Sequence, residues 1–219
     1  MIEPLRRAFA AVAIAATMFM AASAATLVSG ATSARADESA DARAFIQTLA
    51  DKALVLVNSK TISDTDRTQG FKTLFVASFD IPDIGRFVLG RHWKTATAQQ
   101  QAEFLKSFED YTVLTWSTRF KDYSGVQFQI EGASPVEDGF VLVDSKILRS
   151  QGDPLEVGWR AHKVDGAWRI TDILIENVSM ALTQRQDFAA SIQSSGGTVE
   201  SLLDTMHKKI DELRANIHS

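Results

Sequence analysis

The sequence predicts an α+β fold: an antiparallel meander sheet of about four strands, wrapped by helices on its N- and C-terminal sides. Three observations carry that expectation. Apolar residues recur at helical spacing through residues 41–123. The period changes to two over residues 126–175, with short turn-rich connections. Helical spacing then returns from residue 183 to the end. Helices, then strands, then helices keep the two kinds of element apart along the chain, as an α+β fold requires.

Residues 1–36 read as an address rather than as structure. Arg6 and Arg7 form a charged start, residues 8–28 are an alanine-rich apolar run, and Ala34-Arg35-Ala36 is a small-x-small cleavage site. A cleaved signal peptide over 1–36 and a single domain over 37–219 are therefore expected, with Asp37 as the mature N-terminus. An uncleaved membrane anchor is the alternative, since the run approaches the length of a span. Arg6-Arg7-Ala8-Phe9 faintly resembles a twin-arginine signal, but ordinary unfolded export is favoured because no cofactor calls for loading before export.

Element by element, Phe45, Leu49, Ala53 and Leu56 mark a first helix. Ser63 begins a second, carrying Phe71, Leu74, Phe75 and Phe79. Pro82 suits a first helical turn, so a short helix follows Asp80 and can end at Gly90. Thr97 and Gln100 spell a capping box that opens a long helix. Phe104, Phe108, Tyr111, Trp116 and Phe120 form its aromatic stripe, which is more often plain core than ligand wall, although spacing does not distinguish the two.

In the second half Val126, Phe128 and Ile130 alternate with polar residues, as do Leu155, Val157, Trp159 and Ala161. Trp168 and Ile170 begin a further strand. Glu137-Asp138-Gly139, Gly152-Asp153-Pro154 and Asp165-Gly166 are the turns between them, and connections this short make neighbours antiparallel. Thr183 to Gln186 resembles another capping box, for a helix stopping at Gly196-Gly197. Val199, Leu202, Leu203, Met206 and Ile210 give the last helix one apolar face.

The formal charge of the chain is −4. Arg6, Arg7 and Arg35 against Glu3 give the leader +2, so the mature part carries −6. Such a chain has no electrostatic footprint for nucleic acid and no general attraction to anionic membranes. It has no cysteine, which excludes disulfides, thiol catalysis and thiolate metal sites.

No catalytic or metal-binding set emerges. His92, His162, His207 and His218 show no ligand spacing, and Ser179 lies outside any nucleophile elbow. His162, on a polar strand face, is expected to be exposed. Asp80 and Asp83 are better read as a cap and a first-turn charge of the short helix. Asp172 and Tyr111 are the remaining acid–base candidates, both remote. Arg86 and Arg91 suit either an anionic headgroup or plain surface charge, with Asp83 and Arg86 an i,i+3 pair.

The run from Phe79 to Thr97, FDIPDIGRFVLGRHWKTAT, resembles the MlaC-type family, the toluene-tolerance auxiliary proteins of Gram-negative bacteria. Further matches follow in order: Gln101-Ala102-Glu103-Phe104, Phe108-Glu109-Asp110-Tyr111, residues 119–125, Val157-Gly158-Trp159-Arg160, Trp168-Arg169-Ile170-Thr171-Asp172 and Glu176-Asn177-Val178-Ser179-Met180. Asn177 stands where the family more often has glycine; asparagine also tolerates a left-handed backbone, so the turn is expected to survive.

The resemblance implies a periplasmic phospholipid carrier, a monomer without cofactor or enzymatic activity, whose cargo sits in an apolar cavity between sheet and helices. It implies exchange with an outer-membrane lipoprotein complex and an inner-membrane ABC transporter carrying an MCE subunit, which maintains outer-membrane lipid asymmetry. On this reading the cavity is expected at Phe75, Phe79, Ile84, Val88, Phe104, Phe108, Tyr111, Trp159 and Val178, with Arg86 and Arg91 at the headgroup. Phe108→Asp or Val178→Glu should then lower lipid occupancy without unfolding. A hopanoid or other lipid carrier, a small pocket enzyme and a non-carrier envelope adaptor remain alternatives.

Overall fold

The computed structural model describes residues 25–119, 125–149 and 152–217. Residues 1–24 of the leader, Phe120 and His218 lie outside them. Six helices and five strands are described: α1 (Ala25–Asn58), α2 (Asp64–Ser78), α3 (Ile81–Leu89), α4 (Ala98–Ser117), β1 (Gln127–Pro135), β2 (Val141–Leu148), β3 (Leu155–Val164), β4 (Ala167–Ile175), β5 (Val178–Ser179), α5 (Met180–Ser194) and α6 (Val199–Ile217). The strands form one open antiparallel meander in the order β1-β2-β3-β4-β5. Helix α1 carries through residues 34–36, where the sequence places a cleavage site. Among the described residues no helix is long and apolar enough to cross a membrane.

Local chemistry sets most helix boundaries. Ser63 caps α2 by accepting from the Asp66 amide at 3.0 Å. Asp80 caps α3 by accepting from the Asp83 amide at 3.1 Å, with Pro82 in the first turn. Gly90, at φ 58°, occupies a left-handed conformation that stops α3 before a 3₁₀ turn over Gly90–Lys94. Thr97 and Gln100 close the expected capping box of α4, at 3.1 and 3.0 Å. Between β4 and β5 both Glu176 (φ 49°) and Asn177 (φ 63°) are left-handed, so asparagine does hold the turn where glycine is usual.

Two expectations are corrected here. Helix α5 starts at Met180 under a Ser179 cap, not at Thr183. His162 is half-buried rather than exposed: its ring stacks on Phe140 at 4.8 Å and 7°, and its Nε2 lies 3.1 Å from Asp80 Oδ2.

The interior divides into two apolar cores. One joins α2, α3, α4, α5 and α6 around Phe104, Phe108, Phe188, Leu202 and Leu203. The other joins the middle of α1 to the sheet around Ala42, Ile46, Ile130, Val143, Ala161 and Ile170. Phe79 packs against both, at the α2–α3 junction, where it bridges to Ile170 beside the edge of β4.

Candidate functional site: an apolar cavity between two cores

The two cores do not meet everywhere, and the gap between them is a cavity of about 310 Å³. That is the lower end of the range typical of small-molecule sites, about 300–1,000 Å³. Helix α1 supplies Leu49, Ala50, Ala53, Leu54 and Val57 to its wall, and α2 supplies Phe71, Leu74 and Phe75. Ile84 and Val88 enter from α3, Phe108, Thr112 and Trp116 from α4, and Met180, Ala181 and Gln184 from α5. The sheet contributes the inward positions Phe128, Ile147, Leu155, Val157, Trp159, Ile173 and Ile175, with Val126 just before β1.

Period-two alternation aims these strand residues inward. Trp159 opposes Val143 on β2 and Ile173 on β4, so one face of three strands points the same way. The Trp159 indole N–H donates to Ser145 Oγ at 2.9 Å, and the Ser145 hydroxyl in turn donates to the Val157 carbonyl at 2.9 Å. On the helical side an arginine holds the wall. The Arg67 guanidinium donates to the carbonyls of Leu56, Val57 (3.0 Å) and Ser59 (2.8 Å), satisfying the C-terminal end of α1. Asn58 Oδ1 accepts from the Gly125 amide at 2.9 Å, tying the same end to the start of β1.

Polar groups in the wall are few: Thr112, Thr171, Asp172 and Gln184. Among the described residues Asp172 is the only ionisable one in the wall, and both its oxygens are committed. Oδ2 accepts from the Ser179 hydroxyl at 2.6 Å and Oδ1 from the Ala181 amide at 3.0 Å. Its role is to cap the start of α5. Among the described residues no histidine or lysine lines the cavity. Among the described residues no cluster of three potential metal ligands occurs.

Of the nine residues expected at the cavity, Phe75, Phe79, Ile84, Val88, Phe108 and Trp159 line it. The other three do not. Phe104 is fully buried in the helical core, edge-on to Phe188 at 5.6 Å. Tyr111 packs on that core beside Phe188, at 6.4 Å. Val178 is 54% exposed, because the two left-handed residues before it reset the direction of the chain and leave β5 at the sheet edge.

Arg86 and Arg91 are exposed and are not among the residues lining the cavity. Arg86 lies over the Trp93 ring at 5.8 Å, and Arg91 Nε donates to His92 Nε2 at 3.3 Å. Sequence reasoning missed the α1 wall. Its signal is the double stripe of Leu49, Ala53 and Val57 with Ala50 and Leu54, at i, i+4 spacing.

An open sheet wrapped by helices around an apolar cavity, with its one carboxylate spent on a helix cap, defines a binding protein for an apolar ligand. The family follows from comparison with known proteins. The sequence model of the family described as MlaC protein matches residues 47–208, most of the chain, and the protein belongs to that family.

Among curated relatives, the intermembrane phospholipid transport system binding protein MlaC of Haemophilus influenzae is 24% identical over 132 residues, 58% of this chain and 61% of that protein. Toluene tolerance protein ttg2D of Pseudomonas putida is 17% identical over 114 residues, 52% of this chain and 53% of that protein. The chain thus aligns with little more than half the length of these relatives. Among solved structures, a phospholipid-binding protein from Ralstonia solanacearum in complex with a phospholipid matches with a TM-score of 0.68 and 21% identity, covering 78% of this chain and 98% of that one. This likeness establishes the fold.

Proposed function

We propose that this protein is a phospholipid carrier of the cell envelope, holding acyl chains in the cavity between its two cores. The observation that carries the reading is the composition of the wall: aliphatic and aromatic side chains from α1 to α5 and β1 to β4, with the single carboxylate among the described residues tied up in a helix cap. Burying an acyl chain gains about 0.8 kcal/mol per methylene. Lipid therefore partitions into such a cavity without covalent chemistry or a cofactor, and the protein acts as a carrier rather than an enzyme. Membership of the MlaC family and the names of its relatives support the same reading.

The finer role is a periplasmic shuttle, exported by its N-terminal leader and working as a monomer. Its partners are an outer-membrane lipoprotein complex and an inner-membrane ABC transporter with an MCE subunit, and its product is outer-membrane lipid asymmetry. The cavity-lining members of the expected set are the lipid contacts: Phe75, Phe79, Ile84, Val88, Phe108 and Trp159.

Mass spectrometry of an organic extract tests this, on mature protein purified after export through its own leader. Stoichiometric diacyl phospholipid is expected. Hopanoid would reassign the cargo, and a folded but empty protein would overturn the carrier reading in favour of an adaptor.

A further inference from the structure

On the side of β1, β3 and α1 the cavity ends abruptly, at the Trp159 side chain. Along β3 the inward residues Leu155, Val157 and Trp159 line it, whereas the next, Ala161, is fully buried in the sheet-side core. The same step occurs on β1 and on α1. Phe128 lines the cavity and Ile130 does not; Leu49 does and Ile46 does not. Past the level of Trp159 the lining continues only at Thr171 and Asp172 of β4 and at Phe79, whereas Val143, Ala161 and Ile170 belong to the closed sheet-side core. From Leu155 to Trp159 the strand covers four steps, about 13 Å at ~3.3 Å each.

Trp159 is held in place by a device with no other evident use. Ser145 sits on the inward face of β2, 2% exposed, between Val143 and Ile147. A buried hydroxyl there is costly unless satisfied. It is satisfied twice, accepting from the Trp159 indole and donating to the Val157 carbonyl. Phe128 meets the indole edge-on, at 6.2 Å and 71°. The bulky indole is thus fixed in one orientation in the cavity wall, next to the closed sheet-side core.

We infer that Trp159, fixed by Ser145, is the floor of the cavity and sets the acyl-chain length the protein accepts. This rests on the carrier reading above and adds to it a specificity determinant. A chain longer than the floor allows must leave methylenes in water, and each one left out costs about fourfold in affinity. Removing the indole deepens the cavity toward Val143 and Ala161. Filling the position one inward step nearer the loops, at Val157, shortens it.

The test loads delipidated protein from vesicles of phosphatidylethanolamines whose saturated chains step from fourteen to twenty carbons. Bound lipid is then extracted and its length distribution read by mass spectrometry. Wild-type protein is compared with Trp159→Ala, Trp159→Phe, Ser145→Ala and Val157→Phe, each checked for cooperative urea unfolding. Trp159→Ala is expected to favour longer chains, by about fourfold per added methylene. Trp159→Phe, which keeps an aromatic floor, and Ser145→Ala, which frees the indole, shift the same way by less. Val157→Phe shifts the distribution to shorter chains. An unchanged distribution in Trp159→Phe and Val157→Phe, both folded and loaded, overturns the inference while leaving the carrier reading intact. No lipid in wild-type protein overturns the carrier reading itself.

Discussion

The Ser179 hydroxyl donates to Asp172 Oδ2 at 2.6 Å while its own oxygen accepts from the Leu182 amide at 3.0 Å. One side chain thus caps α5 and is itself oriented by a carboxylate from β4, which also takes the Ala181 amide. Free N–H groups at a helix start need such partners. Ser179→Ala is expected to cost about 1 kcal/mol and Asp172→Ala about 1–3 kcal/mol, since the latter orphans both the hydroxyl and the Ala181 amide. Urea unfolding checks this, and Asp172→Ala should retain lipid when folded. Loss of lipid from a fully folded Asp172→Ala protein would assign the carboxylate to the ligand instead.

The same pair explains where sequence reading ran short. Caps formed within four residues were legible: Ser63 with Asp66, Asp80 with Asp83, Thr97 with Gln100. The start of α5 was not, although its Ser179–Leu182 cap is equally local: Thr183 and Gln186 offered a competing capping-box pattern, and the support from Asp172, seven residues back and across a turn, leaves no mark in the spacing. The aromatic stripe of α4 misled for a related reason. Phe104 and Phe108 are both buried on one helix, yet only Phe108 reaches the cavity, since α6 and Phe188 of α5 close over Phe104. Strand alternation placed Val157 and Trp159 inward correctly, but Val178 follows two left-handed residues that break the parity. Spacing identifies a buried face; which part of it borders empty space depends on what packs opposite.

The position of Val178 reverses one expectation. With its side chain mostly in solvent, Val178→Glu should change stability by no more than about 0.5 kcal/mol and leave lipid occupancy unaltered. Val57→Glu, on the α1 wall, places a carboxylate against acyl chains, and an unpaired charge there costs several kcal/mol. Its bound lipid should fall at least about tenfold. Phosphorus quantification of the two purified variants decides between these sites, and equal occupancy would show that α1 does not bound the ligand.

Lys72 ties α2 to α4, with its ammonium 2.9 Å from both Asp110 and Glu109, and Arg214 of α6 adds a contact to Asp110 at 3.1 Å. Hydrogen bonding to Asp110, then to Glu109, raises the Lys72 pKa above its ordinary 10.5. A raised lysine contributes stability that is fully present below its unfolded pKa of about 10.4 and is lost as pH rises through the higher folded value. The side chain is 35% exposed, so solvent screening keeps the contribution at about 1 kcal/mol or less. Unfolding free energies measured from neutral to strongly alkaline pH should therefore fall more steeply for wild type than for Lys72→Met. Parallel curves would show that the bridge contributes nothing measurable.

The close approach of α3 and α4 gives a prediction whose sign can be switched. A Cβ built on Gly85 would lie 2.3 Å from Leu105 Cδ2, far inside contact distance. In an open helix, Gly→Ala gains about 0.8–1 kcal/mol from propensity. Here the half-buried Leu105 side chain must move aside, with Phe104 also close by, an overpacking cost of about 1–3 kcal/mol. Gly85→Ala alone should therefore be destabilising. In a Leu105→Ala background the obstruction is gone, and the same substitution should become stabilising by nearly its propensity gain. A double-mutant cycle in urea reads the coupling directly. A Gly85→Ala effect of the same sign and size in both backgrounds would mean that α3 can move off α4 freely, and that the wall carrying Ile84 and Val88 is not held by this contact.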